Sequence, residues 1–258
     1  MILLATGILA ILLYGAASLW PARARALAVA AVLLHTVELF VDVLGGGTPG
    51  FAESLSVSGL AIGVAGTVMA RGRNFAVARG LLPLAAILLG ASLVLPSPQV
   101  SALQGSPNSL WLPAHLLFMF TAIGAFVLDF VVGILQLAVR RRLKARDFDG
   151  IQQMPALGAL SALQTRALGV GLLALTLGLG TGGMWAASLL SHHAWLSDPK
   201  VVFTLFVWLW YAMLLGLRLN AGWRGRSAVA LSAVGIAGIV FSLVGLDFLS
   251  EGFHAYGG

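Results

Sequence analysis

The chain has 258 residues, of which 59% are hydrophobic and 9% are charged, and its mean hydropathy is +0.98. This composition excludes a soluble globular domain with a polar shell and is typical of a polytopic membrane protein. The formal net charge of +6 reflects 15 Lys and Arg against 9 Asp and Glu. No cysteine is present, which excludes disulfides, thiolate metal sites and thiol redox chemistry.

Eight apolar stretches have roughly the length, about 17 to 25 residues, that a helix needs to cross a bilayer. The predicted spans are Ile2–Trp20, Leu27–Leu44, Leu55–Ala70, Phe75–Leu95, Leu112–Val139, Leu168–Leu190, Val201–Leu219 and Ala228–Leu249. Basic residues follow the first span rather than precede it, so we expect a retained helix and not a secretory signal. The sequence therefore predicts an all-α helical bundle that forms a single transmembrane domain over residues 1–258.

Positive charge is distributed unevenly between the two ends of these spans. Fourteen of the 15 Lys and Arg follow odd-numbered spans, whereas Lys200 lies on the other side. Because cytoplasmic loops retain positive charge, both termini are predicted to lie outside an inner or plasma membrane. The basic run from Arg140 to Arg146 is interpreted as an anchor beside anionic headgroups. The net charge therefore does not indicate nucleic-acid binding.

Span two carries three ionisable residues on one helical face, namely His35, Glu38 and Asp42. Such residues inside a membrane often mark a functional path, including one for protons or ions. Alternatively, His35 and Glu38 satisfy one another and join helices. An ion carrier would be expected to contain a second, matching repeat, and the sequence shows no internal repeat.

The fifth span begins with Trp111-Leu112-Pro113-Ala114-His115. This places an aromatic residue at the interface, a proline in the first helical turn and a histidine at the outer mouth. His115 is a candidate metal ligand, because histidine readily binds metals at neutral pH. Asp129, in the inner half of the same span, is expected to pair with a neighbouring helix or with Arg166.

The stretch Gly182–Lys200 joins spans six and seven and carries Trp185, Trp195, His192 and His193. The adjacent histidines would point about 100° apart on a regular helix and could not chelate one metal together. The glycine-rich sixth span permits close helix approach. Asp198-Pro199 predicts the N-cap and first helical position of span seven.

Four stretches together resemble motifs of the cytochrome c assembly proteins, the superfamily that includes CcsA/ResC, CcmC and CcmF. They are Trp111–His115, Asp198–Lys200 with Trp208–Tyr211, Gly222–Arg226 and Gly252–Tyr256. His35-Thr36 and Glu53-Ser54 are similar to two further signals of the family. The resemblance implies a helical bundle that presents haem b at its outer face. By position it implies His115 and His254 as axial ligands, and Trp185, Trp195 and Asp198 in the loop that holds the porphyrin.

The loop departs from the family pattern at three positions. Ser191 and Ser197 stand where the family has tryptophan, and Val201 stands where it has an acid. Gly216, before Arg218, occupies the place of a transmembrane histidine that would hold a second haem. These departures make the chain most similar to the short HemX/YpjD-like branch. Alternatively, His192 or His193 substitutes for a ligand that the family has and this chain lacks.

The resemblance implies a protein that binds or handles haem in cytochrome c assembly, with no catalytic residue of its own. Its partners would be haem and other membrane proteins, such as an assembly partner or a respiratory complex. One partner would supply the apocytochrome thiols. The alternatives are a HemX-like regulator of haem synthesis and a haem-free structural subunit of a membrane complex.

Overall fold

A computed structural model describes residues 2–44, 51–95, 111–152, 154–189, 198–223 and 225–242. Within these ranges the regular elements are nine α-helices and one 3₁₀ turn, Gly72–Asn74. The helices are α1 Ile2–Leu19, α2 Ala24–Leu44, α3 Phe51–Met69, α4 Phe75–Val94, α5 Trp111–Lys144, α6 Phe148–Gln152, α7 Leu157–Leu189, α8 Pro199–Asn220 and α9 Arg226–Val240. The predicted all-α bundle is confirmed.

The described helices match the predicted spans in position. Those long and apolar enough to cross a membrane cover Ala24–Asp42, Gly72–Val94, Ala114–Lys144, Leu157–Ala187 and Pro199–Asn220. Shorter apolar helices cover Leu3–Leu19, Leu55–Met69 and Arg226–Val240. Large apolar side chains such as Leu12, Leu33 and Leu117 are more than half exposed, as suits contact with lipid. The chain is a multi-pass membrane protein, while the number of crossings and the location of the termini stay predictions.

Two predicted boundaries were wrong. Helix α7 begins at Leu157 rather than at Leu168, and α5 continues to Lys144, past Val139. The added residues are mostly Leu, Ala, Gln and Arg, which favour helix, and the Gln and Arg among them lower the mean hydropathy. Helical structure therefore continues where the apolar signal stops, and Arg166 lies on the exposed surface of α7 rather than in a loop.

Helices α1 to α4 form the first hydrophobic core together with parts of α5 and α7. Helix α1 packs on α2 and α4, and α3 packs on α4. Much of this core consists of buried alanines, such as Ala10, Ala17 and Ala28. Small side chains allow helices to approach closely where lipid provides no hydrophobic drive for association.

The long helices α5 and α7 form the most extensive contact in the bundle. Glycines on α7 face larger residues on α5: Gly182 faces His115, Gly178 faces Met119 and Gly171 faces Phe126. These pairs keep one antiparallel register, because each step of four or seven residues along α5 is matched by the same step backward along α7. The predicted role of the glycines in close packing is confirmed.

Helices α8 and α9 complete a second core against α5 and α7. The ring of Tyr211 stacks on Phe126 with centroids 3.5 Å apart and planes 9° from parallel. Trp208 Nε1 donates to Thr176 Oγ1 on α7 at 2.8 Å, and Trp210 Nε1 donates to the Leu231 carbonyl on α9 at 3.0 Å. The aromatic residues of α8 thus join both of its neighbours.

The basic connections come together at one end of the bundle, which we call the arginine end. Arg73, before α4, donates to the carbonyl of Met154, which lies between α6 and α7. Gly225, before α9, lies close to the guanidinium of Arg140 on α5. At the opposite end, the histidine end, α5 begins near His115 and α7 ends near Trp185. By the positive-inside rule, the arginine end is predicted to face the cytoplasm.

Candidate functional site

His115 is held by α7 at the histidine end. Its Nδ1 lies 2.7 Å from the carbonyl oxygen of Gly178. A Cβ built at Gly182 would lie 2.5 Å from the same nitrogen, so the ring fits only because Gly182 has no side chain. A carbonyl oxygen only accepts hydrogen bonds, so Nδ1 carries the proton and the lone pair of the neutral ring is on Nε2. Histidines that ligate metals are commonly oriented by such a bond.

Trp185 and Asp198 lie near the two ends of the predicted haem loop. Trp185 is buried near the end of α7, about one turn beyond Gly182. Asp198 is the N-cap of α8: its Oδ1 accepts from the backbone N–H of Lys200 at 2.8 Å and of Val201 at 3.4 Å, with Pro199 in the first turn. The predicted cap is confirmed. Asp198 thus holds the start of α8 through backbone bonds.

Several predicted site residues lie outside the described residues. They are His254, Trp195, His192 and His193. Of the predicted haem site, the structure describes His115 on α5, Trp185 on α7 and Asp198 at the start of α8, and it packs His115 against Gly178 and Gly182.

A narrow crevice between α5, α7, α8 and α9 has a volume of about 40 Å³ and an almost wholly apolar wall that includes Met119, Phe126 and Thr204. This is space for a few small molecules at most, not for a porphyrin. A haem at the histidine end would therefore lie outside this crevice, against the end of the bundle.

Asp129 is part of a buried polar network that the sequence did not predict. Its Oδ1 lies 3.6 Å from Arg218 Nη1, and Ser232 Oγ donates to its Oδ2 at 2.5 Å. Arg218 also donates to Thr165 Oγ1 at 3.0 Å and to Gln164 Oε1. The expectation of a partner on a neighbouring helix is met by α8, and the alternative partner, Arg166, was wrong.

Arg218 is therefore buried inside the bundle, although the sequence grouped it with the basic residues of the cytoplasmic connections. It is 4% exposed and Asp129 is 0% exposed. Four helices contribute to the network, since α5 carries Asp129, α7 carries Gln164, α8 carries Arg218 and α9 carries Ser232. The ion pair and the bond from Ser232 offset part of the cost of burying the charges, although Asp129 Oδ1 accepts no hydrogen bond from the described residues.

His35 belongs to a second buried network, which joins α1, α2 and α3. Tyr14 Oη lies 3.3 Å from His35 Nδ1, and His35 Nε2 lies 3.1 Å from Ser56 Oγ. Ser56 Oγ donates to Glu38 Oε2 at 3.2 Å. Since the one hydroxyl hydrogen of Ser56 goes to Glu38, Nε2–H donates to Ser56 and Tyr14 donates to Nδ1. His35 and Glu38 are therefore linked through Ser56, which favours the interpretation that they join helices.

Replacing His35 by Phe is expected to lower the free energy of unfolding by about 1–3 kcal/mol, because the buried hydroxyls of Tyr14 and Ser56 lose their partner. Denaturant titration in mixed micelles measures the change. The companion variant Tyr14→Phe/His35→Phe removes the tyrosine hydroxyl that has lost its acceptor, leaves Ser56 bonded to Glu38, and should recover part of the loss. Equal stability of wild type and His35→Phe would contradict a structural role for the network.

Sequence comparison with known proteins identifies the family of this chain. The model of the family described as Cytochrome C assembly protein matches residues 49–254. This chain belongs to the cytochrome c assembly protein family. The resemblance in the motifs is therefore confirmed over most of the chain, whereas its HemX-like branch stays a prediction.

Individual relatives from this cytochrome c assembly family are named Cytochrome c biogenesis protein CcsA. The protein from Chlamydomonas reinhardtii is 31% identical over 163 residues, which cover 62% of this chain and 43% of the relative. The protein from Trieres chinensis is 28% identical over 212 residues, covering 69% and 66%. That from Synechococcus sp. (strain WH7803) is 36% identical over 126 residues, covering 47% and 36%. The chain thus spans less than two thirds of the length of these relatives.

The names of the family and of these relatives refer to the assembly or biogenesis of cytochrome c. The residues that sequence reasoning missed are those that hold His115: Gly178 and Gly182 on α7. Their signal is present in the sequence as two small residues four apart, a spacing that lets a neighbouring helix approach closely.

Proposed function

We propose that this protein binds haem b at the histidine end, where His115 and His254 would hold the iron. The observation that carries the proposal is the bond between His115 Nδ1 and the Gly178 carbonyl. It sets the tautomer and the direction of the imidazole and so prepares Nε2 to ligate a metal. Two neutral imidazoles would hold haem iron without adding charge.

The other proposed site residues position the loop between α7 and α8. Trp185, buried at the end of α7, and Asp198, the cap of α8, hold the two ends of the segment that contains Trp195. In this proposal Trp195 presents aromatic surface to the porphyrin, and Trp185 supports the loop from the end of α7, where it is 8% exposed. Asp198 is a positioning residue, because its Oδ1 is engaged by backbone N–H groups.

The protein's part in this proposal is to hold and orient haem on the side of the membrane opposite the arginine end. The chain has no cysteine, so the thiols of an apocytochrome would come from a partner. Such a partner would be an assembly protein or a respiratory complex in the same membrane. No residue of the chain is assigned a catalytic role.

A second candidate is a haem-free accessory subunit or a HemX-like regulator of haem synthesis. The observation that favours it is the loss of family residues at Ser191, Ser197 and Gly216. Such a protein would keep the bundle of the family without haem at its histidine end. It would depend on a protein partner instead.

The reduced-minus-oxidised absorbance spectrum of the purified protein separates these candidates. We expect wild type, expressed with added haem, to show a low-spin b-type spectrum. His115→Ala and His254→Ala should each lower the haem occupancy at least about tenfold, as loss of an orienting or ligating group does at metal sites. Imidazole added to His115→Gly should restore part of the low-spin spectrum.

Leu117→Ala is the matched control, because Leu117 lies two residues from His115 on α5 and is 65% exposed. It should retain the wild-type spectrum. A colourless wild type would contradict haem binding and favour the accessory subunit. Full haem occupancy in both histidine variants would contradict the assignment of the ligands.

A further inference from the structure

The arginine end contains a large hollow, with a volume of about 820 Å³. Its wall is formed by the turn between α1 and α2, the start of α4, the last turns of α5 and the connection between α6 and α7. Parts of the chain that are far apart in sequence thus form one concave surface where the bundle meets water.

Among the described residues that line this hollow, Arg73, Arg79 and Arg142 are charged and none is acidic. Arg73 is held in place, because its Nε and Nη2 donate to the Met154 carbonyl at 2.8 and 2.6 Å. Arg142 lies 3.6 Å from Asp147, a pair that is nearly half exposed and hence weak. The hollow therefore keeps an excess of positive charge that suits an anion.

Along α5 the wall of the hollow changes from apolar to basic toward the arginine end. On α5, Leu135 lines the hollow about 10 Å from Arg142, since seven residues separate them. Phe75 and Met154 add apolar surface. A small soluble anion would use only the basic part. A phospholipid matches both parts, because its charged phosphate is joined to apolar acyl chains.

We propose that this hollow binds an anionic phospholipid, with its phosphate on Arg79 and Arg142 and its upper acyl chains against Leu135. Guanidinium groups bind phosphate through charge-assisted, often bidentate hydrogen bonds. Basic pockets between transmembrane helices on the cytoplasmic side suit such headgroups. The site is independent of the haem proposal, since it lies at the opposite end of the bundle.

Native mass spectrometry of the delipidated full chain in detergent, titrated with phosphatidylglycerol or phosphatidylcholine, tests the proposal. Phosphatidylglycerol should bind more tightly than phosphatidylcholine. Arg79→Gln should weaken its binding about fivefold and Arg79→Gln/Arg142→Gln about 25-fold, from the attraction that each arginine provides near a membrane surface. Arg79→Lys, which keeps the charge, should retain more of the binding than Arg79→Gln does.

The control is Arg140→Gln/Arg226→Gln, which removes two exposed arginines of the same end that do not line the hollow. Equal weakening in the control would overturn the site in favour of general surface charge. Equal binding of the two lipids would also overturn it. Displacement of phosphatidylglycerol by an equal concentration of inorganic phosphate would show a soluble-anion site instead. If the double variant does not fold, the comparison of Arg79→Gln with Arg79→Lys decides.

Discussion

Replacing Arg218 by Met is expected to lower the free energy of unfolding by about 3–5 kcal/mol, because it leaves the buried carboxylate of Asp129 without its positive partner. Arg218 and Asp129 are 4% and 0% exposed, so water cannot compensate either group. The same change removes the donor to Thr165 and Gln164. Denaturant titration of the purified protein in mixed micelles measures the loss.

Two further variants sharpen this test. Arg166→Met is the matched control, because Arg166 is exposed on α7 and should change stability little. Asp129→Asn/Arg218→Met should recover much of the loss, since replacing both members of a buried ion pair is often nearly neutral. If Arg218→Met proved as stable as Arg166→Met, the pair would not stabilise the bundle.

Introducing Ala at Gly182 is expected to lower haem occupancy about tenfold or more, although Ala is the better helix former. The new Cβ would lie 2.5 Å from Nδ1 and 2.7 Å from Cε1 of His115. The ring must therefore rotate away from the Gly178 carbonyl. The haem-to-protein ratio, read from the reduced-minus-oxidised spectrum, measures the effect.

Gly180→Ala controls for the change in helix propensity. Gly180 lies two residues away on α7, and a Cβ there meets nothing within 4 Å. It should keep both haem and stability at the wild-type level. Equal haem in the Gly182 and Gly180 variants would show that the orientation of His115 does not matter for binding, even if His115 itself does.

The architecture was largely predictable because hydropathy is a strong signal over twenty residues. The apolar runs located the transmembrane helices, and the distribution of arginine grouped the connections that the structure places at one end. The predicted helix boundaries were wrong where a helix continues through less apolar sequence, as α7 does between Leu157 and Leu168. Hydropathy reports the lipid environment of a helix rather than its length.

The polar partners inside the bundle could not be predicted, because they depend on which helices pack together. His35 and Glu38 share a helical face, but Ser56 and Tyr14, which complete their network, come from two other helices. Asp129 pairs with Arg218 rather than with Arg166, since α8 places its last turns beside α5. Local spacing identifies such residues, and only the helix arrangement pairs them.

The division of the interior into two cores has a consequence for biosynthesis. The first core is built mainly from α1 to α4, which leave the ribosome before α5. The second depends on α8 and α9, which are made last. Because membrane helices insert before they associate and chains emerge N-terminus first, the first four helices have partners available early. His115 can form its hydrogen bond to the Gly178 carbonyl only after α7 has been synthesised, which is late in translation.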